Sequence, residues 1–283
     1  MTDMTRFGYG TNGFADHRIE DALAILADLG YDGVALTLDH QHLDPYAAGL
    51  AARVSALARL LDRLGLDVVI ETGARYLLDP WRKHQPTLVS AEPEGRAARV
   101  DLLTRAVRIA ADLGAQAVSF WSGTASGDCD SATVLDRLAA GCQTVLAAAQ
   151  DAGVVLGFEP EPGMAIDTLD RFAELRDVLG RPDGFGVTLD IGHCRCVEPV
   201  RVADCVAGVA DFLVNVQIDD MRRGVHEHLE FGQGEIDFPP VLRAVSEAGY
   251  TGLVSVELPR HSHAAVRVAA ESLTFLRKAA ESA

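Results

Sequence analysis

The sequence predicts an α/β fold, a (β/α)8 TIM barrel that forms a single domain over residues 1–283, and three observations carry that reading. A helical stretch, a glycine and a short apolar strand recur along the chain, as "ILADLGYDGVALTL", "LLDRLGLDVVIET", "IAADLGAQAVSFW", "AAQDAGVVLGFE" and "AVSEAGYTGLVSVE". Three further strand-like runs, "FGYGTNGF", "FGVTLDIGH" and "LVNVQIDD", bring the count to eight, the number at which an alternating chain of this kind closes into a barrel. A length of 283 residues with 48% hydrophobic content is enough to bury one substantial core.

Each unit has a local cause. Gly30, Gly65, Gly114, Gly153 and Gly249 stand where a helix ends in a left-handed cap. The runs that follow them are rich in β-branched residues and apolar on both faces, as strands covered by helices must be. The helical patterns between strands, such as "YAAGLAARVSALARLLDRLG" and "GRAARVDLLTRAVRIAADLG", repeat apolar residues at three- and four-residue spacing. An open doubly wound sheet is the competing topology, but no glycine-rich phosphate loop opens a helix after the first strand.

Composition narrows the partners. With 41 acidic and 25 basic residues the net charge is −16, which works against binding nucleic acid or an anionic membrane surface. No run reaches membrane-spanning length, and "MTDMTRFGYG" lacks the apolar core of a signal peptide, so a cytoplasmic protein is expected. The five cysteines are an odd number, which fits reduced thiols; "HCRC" lacks the second cysteine pair of a structural zinc site. Homo-oligomerisation is left open.

In a barrel of this kind, chemistry collects at the C-terminal ends of the strands. Strand five ends "FEPEPG", with Glu159 and Glu161; strand six "LDIGH", with Asp190 and His193; strand seven "VQIDD", with Gln217, Asp219 and Asp220; strand eight "SVELPRHSH", with Glu257. At any one position such a residue caps a helix or faces water more often than not. Four successive strands delivering such groups to one mouth point instead to a bound divalent cation, because converging carboxylates repel. The oxygen-rich set favours Mn²⁺ or Mg²⁺, and a neighbouring histidine admits Co²⁺ or Zn²⁺.

"FEPEPG", "LDIGH", "VQIDD" followed by "HEHLEFGQGEIDF", and "VSVEL" together resemble the xylose isomerase-like barrel superfamily of sugar isomerases, sugar-phosphate epimerases and endonuclease IV-type AP endonucleases. The resemblance covers the second half motif by motif and the first half only as repeated units. It implies a cation held by Glu159, Asp190, a strand-seven residue and Glu257. The family's strand-seven motif is His, two residues, then Asp, and here it reads Gln217 to Asp220. Three outcomes stay open: Gln217 ligates through its amide oxygen, His228 supplies the missing imidazole, or the site works without metal.

The resemblance further implies a ketose isomerase or epimerase, in which Glu159 and Glu257 move a proton through an enediolate. His193 matches a substrate-contacting position, and Glu161 is a supporting carboxylate. His226 and His228 line up with ligands of the AP endonucleases, but the ends of strands three and four carry Glu71 and Trp121 where that group has histidines. Dehydration of an inosose begins with the same proton abstraction, and a non-catalytic sugar-binding barrel is the rival from another class. Trp121 offers a stacking wall for a sugar ring. The long loop "ETGARYLLDPWRKHQP" carries Arg75, Arg82, Lys83 and His84, while Arg222, Arg223 and Arg260 follow strands seven and eight, so an anionic sugar substrate is envisaged.

Overall fold

The computed structural model describes residues 5–125 and 129–283. Eight parallel strands close into a barrel: β1 (Arg6–Gly10), β2 (Gly33–Thr37), β3 (Asp67–Glu71), β4 (Val118–Trp121), β5 (Leu156–Glu159), β6 (Phe185–Asp190), β7 (Leu213–Ile218) and β10 (Leu253–Val256). Each strand pairs with its neighbours in chain order, and β10 pairs with β1 to seal the ring. An antiparallel hairpin, β8 (Asp220–Arg222) and β9 (Val225–Leu229), rises between the last two barrel strands, so the eighth barrel strand is β10.

The outer layer comprises α1 (Ile19–Leu29), α2 (Leu50–Leu64), α3 (Pro93–Leu113), α4 (Ser131–Ala152), α5 (Leu169–Val178), α6 (Ile191–Val197), α7 (Val202–Gly208), α8 (Phe238–Glu247) and α9 (Ala265–Glu281). Gly30 ends α1 at φ 92° and Gly153 ends α4 at φ 67°, a left-handed backbone that a Cβ disfavours; the chain can then turn straight into the next strand. The core lies between strands and helices. Phe158 of β5 packs on Phe120 of β4 and Phe172 of α5 with ring centroids 5.3 and 5.7 Å apart. It is fully buried, and truncation to Ala would cost about 3–5 kcal/mol. Among the described residues, no helix is long and apolar enough to cross a membrane.

Register fixes what faces the mouth. Asp190 of β6 stands opposite Gln217 of β7, which stands opposite Ser255 of β10; Trp121 of β4 stands opposite Glu159 of β5. On the far side, Thr37, Glu71 and Ser119 align across β2, β3 and β4.

One expectation needs correction, and one open point is decided. The stretch with His226 and His228 reads as a loop but forms β9, because "DMRRGVHEHL" is too polar to show an alternating strand pattern, while Gly224 at φ 71° permits its two-residue turn. Glu161 shares the Glu159 face only if the strand runs on past Pro160; β5 ends at Glu159, so Glu161 lies in the following turn.

Candidate active site

Asp190 serves two roles with its two oxygens. Oδ1 accepts the His193 backbone N–H at 2.7 Å and caps α6, which starts directly from the strand. Oδ2 is buried and has no hydrogen-bond partner in the protein. The helix-capping and ligand readings of this residue are therefore compatible.

The cap also sets His193. Its Nδ1 lies 3.3 Å from the Pro160 carbonyl and 3.4 Å from Glu159 Oε1, so this nitrogen carries the proton and Nε2 faces His226 Nε2 at 3.0 Å. Burial lowers the pKa of His193 to about 3 and of His226 to about 4, which keeps both rings neutral. His228 completes the ring cluster, its Nδ1 against Asp219 Oδ2. Asp219 is fully enclosed, and a Cβ on Gly192 would come within 1.9 Å of its Oδ1, which explains the glycine of "DIGH".

Gln217 Nε2 donates to Glu257 Oε2 at 2.5 Å, and Asn12 Nδ2 donates to Glu257 Oε1 at 3.2 Å. This leaves Gln217 Oε1 buried and without a partner, beside Asp190 across the β6–β7 pairing. Burial raises Glu159 well above the carboxylate range, and repulsion from Glu257, Glu161, Glu71 and Asp190 adds to it. Burial likewise lifts Glu257 and Glu161 to about 7. Crowded carboxylates with orphaned oxygens are a donor set that suits a divalent cation.

Among the described residues, three triads place ligand atoms within 4.8 Å of one another: Glu159–Asp190–His193, Asp190–Asp219–His228 and His193–His226–His228. Asp190 joins the first two and His193 the first and third. Glu257 belongs to none of them, and its oxygens accept from the two amides.

A cavity of 490 Å³ opens over this floor, within the range of small-molecule sites. Glu159, Glu161, His193, His226, His228 and Glu257 line it, as do Arg75, Lys83, Trp121 and Arg260; Asp190 and Gln217 are buried behind this lining. Trp121 has the Arg99 guanidinium over its ring at 4.6 Å and the His84 ring edge-on at 5.3 Å. Three arginines do not reach the cavity. Arg82 pairs with Asp79, Arg222 binds the Gln233 carbonyl and Arg223 the Glu198 carbonyl, so they brace loops away from the cavity lining.

Asp220 is structural. Its carboxylate accepts the backbone N–H groups of Gly232 and Gly234 at 2.8 Å, Met221 at 3.0 Å and Ile236 at 3.2 Å, and so shapes "EFGQGEI". Glu71, by contrast, is a residue that sequence reasoning left out of the site. It ends β3, is 8% exposed, lines the cavity, and has an unpartnered Oε1. The signal was the strand-end rule itself, which "VVIET" satisfies.

The profile of the family described as xylose isomerase-like TIM barrel matches residues 23–279. The chain belongs to that family. Among relatives of this xylose isomerase-like barrel is the L-ribulose-5-phosphate 3-epimerase UlaE of Shigella flexneri serotype 5b, 22% identical over 244 residues and covering 84% of this chain and 81% of the relative. The solved D-allulose 3-epimerase from Methylomonas sp. superposes with a TM-score of 0.78 at 19% identity, over 98% of both chains. The IOLI protein, solved with a bound zinc atom, superposes at 0.75 and 15% identity over 97% of this chain and 98% of that one. At these identities the superpositions speak for a shared xylose isomerase-like fold.

Proposed function

We propose that this xylose isomerase-like barrel is a divalent-metal-dependent isomerase or epimerase of a ketose or related polyol ketone, with an anionic sugar as the preferred kind of substrate. The observation that carries the reading is the pair Glu159 and Glu257, set on β5 and just after β10 with two barrel strands between them, both facing one polar cavity. One carboxylate takes the proton from the carbon beside the carbonyl, and the other returns a proton from the opposite side, to the same carbon in an epimerase. Asn12 and Gln217 hold Glu257 in position through its two oxygens. Neutral His193 holds neutral His226 through their Nε2 atoms, and His226 offers its other ring nitrogen to a hydroxyl group without adding charge.

Glu159, Asp190 Oδ2, Gln217 Oε1 and Glu257 would hold the cation, with His228 as an alternative donor through the Asp190–Asp219–His228 triad. When bound, a divalent cation polarises substrate oxygens and stabilises the negative charge that develops on them. The phosphodiesterase alternative draws less support, because β3 and β4 end in Glu71 and Trp121 at the cavity, and the imidazole that the loop after β3 adds, His84, packs on Trp121 with its Nδ1 at the Gly73 carbonyl. Dehydration of an inosose uses the same first step and is distinguished by its product.

The test is incubation in D₂O with a panel of ketoses, their phosphates and an inosose, with Mn²⁺ or with chelator. Metal-dependent deuterium uptake next to the carbonyl is the expected result. An absence of exchange across the panel, together with no retained metal, would refute it in favour of a binding protein.

A further inference from the structure

Three cations at the cavity rim form no ion pair among the described residues. Arg75 and Lys83 come from the loop after β3 and Arg260 from the segment after β10, and all three line the cavity that holds Glu159 and Glu257. Among the described residues none of them takes part in an ion pair, whereas Arg82, Arg105, Arg181 and Arg267 each reach a carboxylate. In a chain with 41 acidic residues and a net charge of −16, a cluster of unpaired cations runs against the trend. Burial lowers the Lys83 pKa, repulsion from Arg75 and Arg260 adds to this, and Glu161 opposes it.

The loop that presents two of these cations is pinned. Arg99, 2% exposed on α3, donates to the carbonyls of Thr72 at 3.3 Å, His84 at 2.7 Å and Pro86 at 2.9 Å. His84 N–H closes onto the Arg75 carbonyl at 2.6 Å, and Arg75 Nη2 donates to the Asn12 carbonyl at 3.1 Å. Ala74 and His84, the residues beside Arg75 and Lys83, hold left-handed φ angles of 54° and 66°, a conformation unfavourable for non-glycine residues. A strained, immobilised loop that delivers uncompensated positive charge to a cavity is the architecture of an anion clamp.

We propose that Arg75, Lys83 and Arg260 form a subsite for a phosphate monoester, so that the substrate is a phosphorylated ketose with its tail at the rim and its carbonyl end beside Glu159 and Glu257. This rests on the reading of the cavity as a sugar isomerase or epimerase site. Separate donors from two loops suit a dianion with three terminal oxygens: each guanidinium can grip two oxygens and the ammonium acts as a point charge. A carboxylate, with one charge and two oxygens, would leave part of the cluster unanswered.

Calorimetric titration of inorganic phosphate into the whole protein, once stripped with chelator and once loaded with Mg²⁺, reads the subsite apart from any turnover. Saturable binding is expected in both forms, and the Lys83→Gln/Arg260→Gln double variant is expected to lose about tenfold or more in affinity with an unchanged melting curve. D-glucuronate, the carboxylate probe, is expected to bind more weakly than phosphate. No phosphate binding, binding only with Mg²⁺ present, full affinity in the double variant, or tighter binding of glucuronate would each overturn the subsite. Glu257→Gln separates the two readings, since it should stop deuterium exchange and leave phosphate affinity in place.

Discussion

The floor and the rim of the cavity are positioned by different means. Floor residues stand at or just beyond strand ends, where barrel register decides their neighbours: Trp121 opposite Glu159, Asp190 opposite Gln217, Gln217 opposite Ser255. Rim residues stand on loops and a hairpin, and a buried ion holds each side. Arg99 gathers the carbonyls of Thr72, His84 and Pro86 under the Arg75–Lys83 loop, and Asp220 gathers four amides beneath the segment that follows His226 and His228. The one is a cation serving acceptors, the other an anion serving donors. Closing the barrel therefore sets the floor carboxylates, whereas the loops around them depend on Arg99 and Asp220.

The largest expected effect lies on the floor. Glu159→Gln and Glu257→Gln should each lower the deuterium exchange rate by about 10²–10⁴, the usual contribution of a positioned acid or base, with little change in melting temperature. Rate loss accompanied by a comparable loss of stability would mean that these residues hold the barrel together instead. On the rim the effect should fall on stability first. Asp220→Ala leaves buried amides without an acceptor, at a cost of about 1–3 kcal/mol for each donor that water does not reach. Hydrogen exchange should then accelerate in residues 230–236 before it does in the barrel strands. Uniform acceleration would show that the segment and barrel unfold as one unit.

This contrast also explains what was legible in the sequence. The eight strands, the helices and the acidic strand ends follow from local patterns, because glycine caps and apolar runs act within a few residues of themselves. Glu71 obeyed the same rule, yet a search image of histidine at that strand end passed over it. The hairpin β8–β9 left no such trace, since its pairing is polar and the segment after it is shaped by Asp220 acting across 16 residues to Ile236. Arg222 and Arg223 looked like phosphate ligands in sequence, and only tertiary contacts show their donors engaged by the Gln233 and Glu198 carbonyls. The role of Arg99 was equally hidden: on α3 it reads as one more arginine in an amphipathic helix.

A smaller effect is expected where the chain departs from the family pattern. Gln217→His exchanges an amide oxygen for an imidazole beside Asp190 Oδ2, which should raise affinity for Zn²⁺ or Co²⁺ by about tenfold or more and leave Mg²⁺ little changed. Competition with a metal-sensitive dye reads this directly. Equal affinity in both proteins would place Gln217 outside the ligand set and favour the Asp190–Asp219–His228 triad.

The smallest effect is a pH dependence whose sign the floor dictates. Glu161 and Glu257 titrate near 7 in the folded protein, above the value of 4.5 expected for an unfolded chain, so the native state binds more protons and loses stability as pH rises through about 7. Neutral His84, His193 and His226 act in the opposite direction, an effect that fades above about pH 7, because only the unfolded histidines take up protons as pH falls through about 6.5. Between pH 7 and 8 the carboxylates, with Glu159 and Asp219 raised further still, outweigh what remains of the histidine contribution, and the melting temperature of chelator-treated protein should fall across that window. Saturating Mn²⁺ supplies the charge that the carboxylates lack, so the stabilisation it gives should be larger at pH 8 than at pH 6.5. A melting temperature that stays flat without metal would mean that the cations Arg75, Lys83 and Arg260 already neutralise the floor, and that floor and rim are one electrostatic unit.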